Sequence, residues 1–175
     1  MSYESDRGWS DRYIPAICRI IGPRLMITAP LKRDREEAAD LIYLTARDVT
    51  VAARVRRAGY HGRYPDEFTI RDSRPSGAVT ELTKILQGWG HWFFYGHAAG
   101  QSELDLAAWL LIDLRQLRYF FLRHPEFLHT PDGIGRGRGR NPDGTTFRWY
   151  NAKIIQRDCP ALLIASHWPT AEVPA

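Results

Sequence analysis

The sequence predicts an α/β protein, and three observations support this fold class. The chain has 175 residues, of which 44% are apolar and 25% charged, which is the size and composition of a globular domain with a real core. Runs rich in β-branched and aromatic residues alternate with runs whose apolar residues recur at helical spacing. Their order predicts a single-domain α-β-β-β-α-β sandwich with a mixed central sheet.

The N-terminal region predicts one amphipathic helix after a short lead. Residues 1–9 are expected to form a flexible lead, and Ser10 is a suitable helix N-cap. Apolar residues then recur in one helical stripe, at Ile14, Ile17, Cys18, Ile21 and Leu25. The Gly22-Pro23 pair should end or kink this helix, because proline cannot continue the backbone hydrogen bonds.

Three strands are predicted in the next part of the domain. Residues 41–45 form a short apolar run, and residues 49–55 are rich in β-branched side chains. We expect these two strands to pair as a hairpin, because only a short turn separates them. Residues 67–71 alternate polar and apolar side chains, which predicts a third, half-buried strand.

The second half of the chain predicts two more helices and three buried strands. Ser76 is the expected N-cap of the first of these helices. The strands are predicted from continuous apolar and aromatic runs, which are typical of strands buried on both faces. The predicted ranges are 78–87 and 116–124 for the helices, and 92–97, 106–114 and 161–165 for the strands. The domain is expected to end near residue 168, with a tail at 169–175.

A glycine- and arginine-rich segment at residues 130–144 is expected to be a loop, because Pro-Asp-Gly turns frame it. Arg136, Arg138 and Arg140 alternate there with glycines. The glycine spacing is similar to a dinucleotide fingerprint, but it lacks the strand before and the helix after that such a loop needs. A basic loop that follows a nucleic-acid backbone and a solvated loop without a function both remain open.

Arginine dominates the basic residues of the chain. Of 24 basic residues only Lys32, Lys84 and Lys153 are lysines, and the formal net charge is +4. Codon usage in a GC-rich genome would give this bias without any function. The alternative is phosphate recognition, because the planar guanidinium pairs with phosphate oxygens in a way that lysine cannot imitate.

Several classes of protein and site are not expected. The two cysteines lack the spacing of a zinc or redox motif, and no pair of histidines has His-x-x-x-His spacing. No Gly-x-Ser-x-Gly elbow is present. The longest apolar runs are about seven residues, too short to span a bilayer, and the N-terminus does not read as a signal peptide. We therefore expect a cytoplasmic protein that does not act at a membrane.

The most informative constellation combines one acid with three strand arginines. Asp40 directly precedes the first predicted strand, and Arg54-Val55-Arg56 lies on the second. Arg54 and Arg56 should project from one face, because side chains alternate along a strand. Arg71 lies on the third predicted strand.

With these elements, residues 10–124 resemble the PD-(D/E)XK nuclease superfamily, in particular its small phage and restriction-type members. The resemblance implies a restriction-endonuclease-like fold, in which an acid and a Glu-x-Lys triplet hold Mg²⁺ and position the attacking water. Asp40 stands where the first acid would fall, and Arg54-Val55-Arg56 stands where the triplet would fall. An arginine cannot be a metal ligand, because it stays protonated at any pH near neutrality.

The leading hypothesis is therefore a catalytically degenerate nucleic-acid-binding domain of phage or mobile-element origin. Its phosphate contacts would come from the strand arginines and from the glycine-spaced segment: Arg54, Arg56, Arg71, Arg136, Arg138 and Arg140. Asp40 would then form an internal ion pair with Arg54 or Arg56. No cofactor is expected for this function.

Two alternatives stay open. The first is an active Mg²⁺-dependent nuclease with a rearranged site, in which Asp40 and Glu81 are the metal ligands and Lys84 assists catalysis. Glu81 and Lys84 also have the spacing of a simple ion pair on a helix surface. The second alternative is a structural or protein-interaction protein that docks its arginine-rich loop on an acidic partner, and a homodimer is also possible.

Overall fold

A computed structural model describes residues 8–22, 26–28, 41–43, 49–100, 104–130 and 132–168. The helices are α1 (Ile14–Ile21), α2 (Tyr60–Arg63), α3 (Glu81–Leu86), α4 (Leu114–Arg123), α5 (Glu126–His129) and α6 (Ala152–Asp158). The strands are β1 (Met26–Thr28), β2 (Leu41–Tyr43), β3 (Val51–Arg56), β4 (Glu67–Ser73), β5 (Trp92–Ala98), β6 (Leu106–Asp113), β7 (Arg136–Arg140), β8 (Thr146–Asn151) and β9 (Leu163–His167). A 3-10 turn, Pro160–Leu162, precedes β9. The predicted α/β class is confirmed.

The central sheet has four strands in the order β3-β5-β6-β9. Strand β3 runs parallel to β5, whereas the β5–β6 and β6–β9 pairs are antiparallel, so the sheet is mixed as predicted. Its middle strands are buried on both faces, with Phe93 and Tyr95 in one core and Phe94 and Leu111 in the other. Burial on both faces is why these strands read as continuous apolar runs.

Helix α1 covers one face of the central sheet. Ile17 and Ile21 pack with Phe94 of β5 in a shared core, and the helix ends before the Gly22-Pro23 pair as predicted. The predicted stripe is confirmed only in part, because Ile14 and Cys18 are exposed and Leu25 lies outside the described residues. The predicted N-cap is wrong, because Tyr13 precedes the helix and makes no side-chain cap bond. Ser10 Oγ instead accepts a hydrogen bond from the backbone N–H of Val55, at 3.4 Å, and so ties the N-terminal region to β3.

A second, antiparallel sheet packs on the other face, with its strands in the order β4-β8-β7. Phe68 and Ile70 of β4 and Tyr150 of β8 are fully buried in the core that also holds Tyr95 and Leu117. Even-numbered residues of β4 and β8 therefore point into this core. Up to the register shift after Arg71, the odd-numbered residues of the two strands, such as Arg71 and its partner Phe147, lie on the opposite face.

The predicted hairpin between the first two strands is wrong. Strand β2 pairs with β1 through Thr28 and Leu41, whereas β3 pairs with the distant β5. An isolated two-stranded hairpin is at best marginally stable in water, and docking on the buried strand β5 gives β3 a core to pack into. The third predicted strand is confirmed as β4, although it belongs to the second sheet.

The predicted loop at residues 130–144 is also corrected, because its Arg-Gly-Arg-Gly-Arg stretch is strand β7, paired with β8. Gly137 lies under the ring of Trp149, and Gly139 lies under the ring of Phe147. A Cβ on either glycine would lie 2.3 Å from the nearest ring atom. The two glycines therefore leave room for two aromatic rings to cover the strand. The repetitive Gly-Arg sequence does not show this.

Smaller corrections concern caps and burial. Thr80 caps α3, not Ser76, and accepts a hydrogen bond from the backbone N–H of Thr83. Leu82 and Ile85 face the core as predicted, but Leu86 is exposed. Strand β9 is a largely exposed edge strand and not a buried one. The described helices include none with the length and apolar character needed to cross a membrane.

Candidate functional site

A cleft of about 630 Å³ opens where β3, at one edge of the central sheet, faces the second sheet. Its walls come from residues 9–11, the end of β3 with Arg57 and Tyr60 behind it, and the first turn of α3. The second sheet contributes Arg71 and Phe147 from its odd-numbered face, together with the turn at residues 141–145. Two layers of the fold thus meet at this cleft.

The cleft is rich in arginine. Four arginines line it, Arg54, Arg56, Arg57 and Arg71, against three carboxylates, Asp11, Glu81 and Asp143. The structure therefore brings together the three strand arginines that the sequence singled out. Strands β3 and β4 belong to different sheets, and they are joined by bonds from Arg54 to the Thr69 carbonyl and to Glu81, which also accepts the backbone N–H of Arg71.

Arg54 holds the two sheets together at the floor of this cleft. Its Nη2 lies 2.7 Å from Oε2 of Glu81, and its Nη1 donates to the carbonyl and the hydroxyl of Thr69 at 3.1 and 3.3 Å. The Arg54 and Glu81 side chains are only 18% and 23% exposed. Arg54 thus connects β3 with β4 and α3, and the Thr69 hydroxyl continues the network to Tyr95 at 3.2 Å.

Glu81 is committed to this network. Its Oε2 accepts the backbone N–H of Arg71 at 3.0 Å as well as the guanidinium of Arg54. A carboxylate oxygen that already accepts two donors is a poor Mg²⁺ ligand unless those donors move. Lys84, the other predicted member of a rearranged site, is exposed on α3. Glu81 pairs with Arg54 and not with Lys84.

Asp40 lies outside the described residues, so the predicted Asp40–Glu81 metal site and the predicted Asp40 ion pair both stay predictions. Over the part of the chain that the structure describes, no three His, Cys, Asp or Glu residues converge in a way that could hold a metal ion.

Arg56 and Arg57 both contact aromatic rings at the mouth of the cleft. The guanidinium of Arg56 lies 4.4 Å from the ring centre of Tyr60, and that of Arg57 lies 5.0 Å from the ring centre of Trp9. Arg12 lies over Trp9 as well, at 5.4 Å. Such cation–π contacts hold the guanidinium groups in position at the mouth of the cleft.

The turn at residues 141–145 carries another of the acids that line the cleft, Asp143. Asp143 Oδ1 accepts the backbone N–H of Thr145 at 2.9 Å, and this bond lowers the pKa of the Asp143 carboxyl. The next residue, Gly144, has a left-handed φ of 83°, which a side chain would strain. The sequence identified this Pro-Asp-Gly segment only as a turn.

The three arginines of β7 lie on the other side of the second sheet. Arg138 faces Arg148 across the β7–β8 pair, and Arg148 is an even-numbered, core-side residue. Both guanidinium groups bind Asp72, Arg138 at 3.0 Å and Arg148 at 3.2 Å. Arg136 lies over the ring of Phe127, and Arg140 is exposed. The six predicted phosphate-binding arginines therefore form two separate groups on opposite faces.

A histidine cluster next to the cleft was not singled out from the sequence. His97 of β5 is paired with Arg56 of β3. Its ring packs edge-on against the rings of His61 and Trp168, with ring centres 5.6 and 5.8 Å apart. Burial lowers the pKa of His97 to about 4, and the neighbouring His61 and Arg56 act in the same direction. His97 is therefore a neutral imidazole at neutral pH.

This burial predicts acid sensitivity. The unfolded chain should protonate His97 near its ordinary pKa of 6.5, whereas the folded protein does so only near 4. Between pH 4 and pH 6.5 the unfolded state therefore binds more protons than the folded state. The free energy of unfolding should fall by about 3 kcal/mol as the pH is lowered from 6.5 to 4. Urea unfolding followed by circular dichroism across this pH range measures the loss.

The His97→Phe variant should lose much less stability between pH 6.5 and 4, because the phenyl ring cannot take up a proton. His167→Gln is the control, since His167 is exposed on β9. This variant should lose as much stability between pH 6.5 and 4 as the wild type does. If His97→Phe lost as much stability at acid pH as the wild type, the acid sensitivity could not be assigned to His97.

Comparisons of the chain with protein-family models, curated proteins and solved structures found no match. Sequence reasoning found Arg54, Arg56 and Arg71, but it missed Arg57 and Tyr60. Arg57 directly follows β3, and Tyr60 lies in a segment, residues 58–66, that reads as a polar turn. Only the packed fold places the two residues at the cleft.

Proposed function

We propose that this protein binds the phosphate backbone of nucleic acid in the arginine-lined cleft and does not cut it. The single observation that carries the proposal is the convergence of Arg54, Arg56, Arg57 and Arg71 from two sheets on one cleft. Guanidinium groups bind phosphate oxygens through paired, charge-assisted hydrogen bonds. A row of them along a cleft is the kind of surface that neutralises successive phosphates.

The lining acids do not cancel this attraction. Glu81 is paired with Arg54, and the other lining acids, Asp11 and Asp143, are fewer than the other lining arginines, Arg56, Arg57 and Arg71. The chain as a whole carries a formal charge of +4. A net positive protein with four arginines lining one cleft attracts a polyanion from a distance.

The ion pair of Glu81 supports the non-catalytic part of the proposal. In the resemblance to PD-(D/E)XK nucleases, Arg54 stands where a metal-binding acid would be, and here its guanidinium binds the nearest carboxylate at 2.7 Å. A cation in place of a metal ligand opposes Mg²⁺ and attracts phosphate. We place this degenerate, nuclease-like function in the cytoplasm, where the free thiols Cys18 and Cys159 would stay reduced.

The proposal predicts steeply salt-dependent binding through the cleft arginines. Fluorescence anisotropy with labelled DNA and RNA oligonucleotides should show a dissociation constant that rises by orders of magnitude between roughly 50 and 200 mM salt. Replacing Arg56 or Arg71 by glutamine should weaken binding to every sequence alike. Each such variant should also lower the slope of log affinity against log salt by about one.

Arg140→Gln is the matched control, because Arg140 is exposed on the other face of the second sheet. It should bind as the wild type does, and a loss equal to that of Arg56→Gln would move the interface to β7. Absence of binding at low salt, or binding insensitive to salt, would overturn the proposal. Cleavage with Mg²⁺ or Mn²⁺ that Asp40→Asn abolishes would overturn its non-catalytic part.

A further inference from the structure

A strip of two exposed tyrosines between two arginines continues the cleft along α2. The strip comprises Arg56, Tyr60, Tyr64 and Arg63. The Arg56 guanidinium lies 4.4 Å from the centre of the Tyr60 ring, the two tyrosine rings are 6.1 Å apart, and the Arg63 guanidinium lies 5.3 Å from the Tyr64 ring. Arg56 and Tyr60 also line the cleft, so the strip begins inside it.

The local backbone accounts for the alignment of the two tyrosines. Gly59, with a left-handed φ of 88°, turns the chain away from β3 directly before α2. The backbone N–H of Tyr64 donates to the carbonyl of Tyr60 at 2.9 Å. Residues four apart on a helical turn lie on the same side of it, so both rings face the same way.

Both rings remain open to solvent. Tyr60 is 38% exposed and Tyr64 is 37% exposed, although large aromatic rings are usually packed more deeply. Trp9, at the other wall of the cleft, differs because guanidinium groups from Arg12 and Arg57 both lie over its ring. Tyr60, which lines the cleft, and Tyr64 next to it therefore each keep part of their surface open to a stacking partner.

We propose that the nucleic acid in the cleft is single-stranded and that Tyr60 and Tyr64 stack against its unpaired bases. This inference rests on the proposed function and names its substrate class. Stacking needs a free base face, which a duplex hides inside its own stack. Aromatic platforms beside a basic groove are the combination that binds single strands with little sequence preference, because every base offers a π-face.

The orientation of the strip gives each part of the ligand a partner. Arg56 and Arg71 in the cleft contact the phosphates, and the bases of the same strand turn outward onto Tyr60 and Tyr64. Arg63, over the Tyr64 ring, adds positive charge beyond the cleft for the next phosphate. A nucleic-acid strand that leaves the cleft along α2 therefore meets two base platforms with a guanidinium group at either end.

The experiment compares a 20-nucleotide oligo(dT), an oligo(U) of the same length and a 20-base-pair DNA duplex by fluorescence anisotropy at low salt. The wild type should bind both single strands more tightly than the duplex. Tyr60→Leu should weaken single-strand binding about ten-fold, and the Tyr60→Leu/Tyr64→Leu double variant should weaken it further. Tyr60→Phe should restore it, because the phenyl ring still stacks.

Tyr119→Leu is the matched control, since Tyr119 is an exposed tyrosine with a guanidinium, that of Arg123, 5.8 Å from its ring but on α4. It should bind as the wild type does. Thermal melting of each variant establishes that it is folded, and both tyrosines are exposed enough for the change to be tolerated.

The outcomes separate this inference from the proposed function. Equal affinity for duplex and single strands, or full single-strand affinity in Tyr60→Leu, overturns the inference while salt-dependent binding through Arg56 and Arg71 still stands. Binding of no oligonucleotide at low salt overturns the proposed function and the inference together. Equal losses in Tyr60→Leu and Tyr119→Leu overturn the assignment of the platform to the strip.

Discussion

Replacing Arg54 with methionine should lower the free energy of unfolding by about 3 kcal/mol, because it leaves the largely buried carboxylate of Glu81 without its cation. The change also removes the bonds from Arg54 to the carbonyl and hydroxyl of Thr69, which join the two sheets. Glu81→Gln should cost less, about 1 to 2 kcal/mol, because a glutamine oxygen can still accept the backbone N–H of Arg71.

Urea denaturation followed by circular dichroism measures both effects, and the Arg54→Met/Glu81→Gln double variant completes the cycle. The double variant should be more stable than the sum of the two single losses predicts, since it removes both charges of the pair. Arg140→Met is the matched control, because the exposed Arg140 side chain lies at the end of β7; it should change stability by less than about 0.5 kcal/mol. A loss below about 0.5 kcal/mol in Arg54→Met would show that the bonds from Arg54 to Thr69 and Glu81 do not stabilise the packing of the two sheets.

Gly137→Ala should destabilise the protein by about 2 to 3 kcal/mol although it adds a single methyl group. The new Cβ would lie 2.3 Å from Nε1 of Trp149, which covers the glycine across the β7–β8 pair. The indole is rigid, and it is packed on a paired strand, so the ring or the strand has to move. Thermal or urea unfolding of the variant gives the loss directly.

Gly62→Ala is the control for this prediction. No atom lies within 4 Å of a Cβ at Gly62, which is a helical residue of α2, so alanine there should be neutral or stabilise by up to about 1 kcal/mol. Combining Gly137→Ala with Trp149→Leu should recover part of the loss, because the smaller side chain leaves room for the methyl group. Equal stability of Gly137→Ala and the wild type would show that β7 does not dock under Trp149.

The sequence predicted those elements whose own residues carry a clear period. The stripe Ile14, Ile17 and Ile21 identified α1, and the unbroken aromatic run after Trp92 identified β5 as a buried strand. Strand pairing was predicted less well, because it depends on contacts between distant segments. Strand β3 pairs with β5 instead of its sequence neighbour, and no local pattern distinguishes these choices.

Strand β7 shows why composition alone misleads. Glycine disfavours strands, so the Arg-Gly-Arg-Gly-Arg segment reads as a loop. Its strand exists because Trp149 and Phe147 on the paired strand cover the two glycines and supply the side-chain contacts that glycine lacks. The covering rings come later in the chain, and their pairing with β7 cannot be read from either segment alone.

The candidate site was predicted in part. The sequence identified Arg54, Arg56 and Arg71 as arginines with a shared purpose, and the structure places all three at one cleft. It did not predict that Glu81 would bind Arg54, because that ion pair joins a helix to a strand from another sheet. Tyr60 was missed for the same reason, since its exposure beside the cleft is a property of the packed fold.

The strand order has a consequence for how the chain folds. Strand β4 lies in the connection between the parallel strands β3 and β5, yet its own partner β8 comes near the end of the chain. The two sheets are therefore interleaved along the sequence, and neither can close before most of the chain is present. Such non-local pairing is typical of slow folding. During synthesis, β4 would remain unpaired until β8 has left the ribosome, a period in which its apolar residues depend on protection from aggregation.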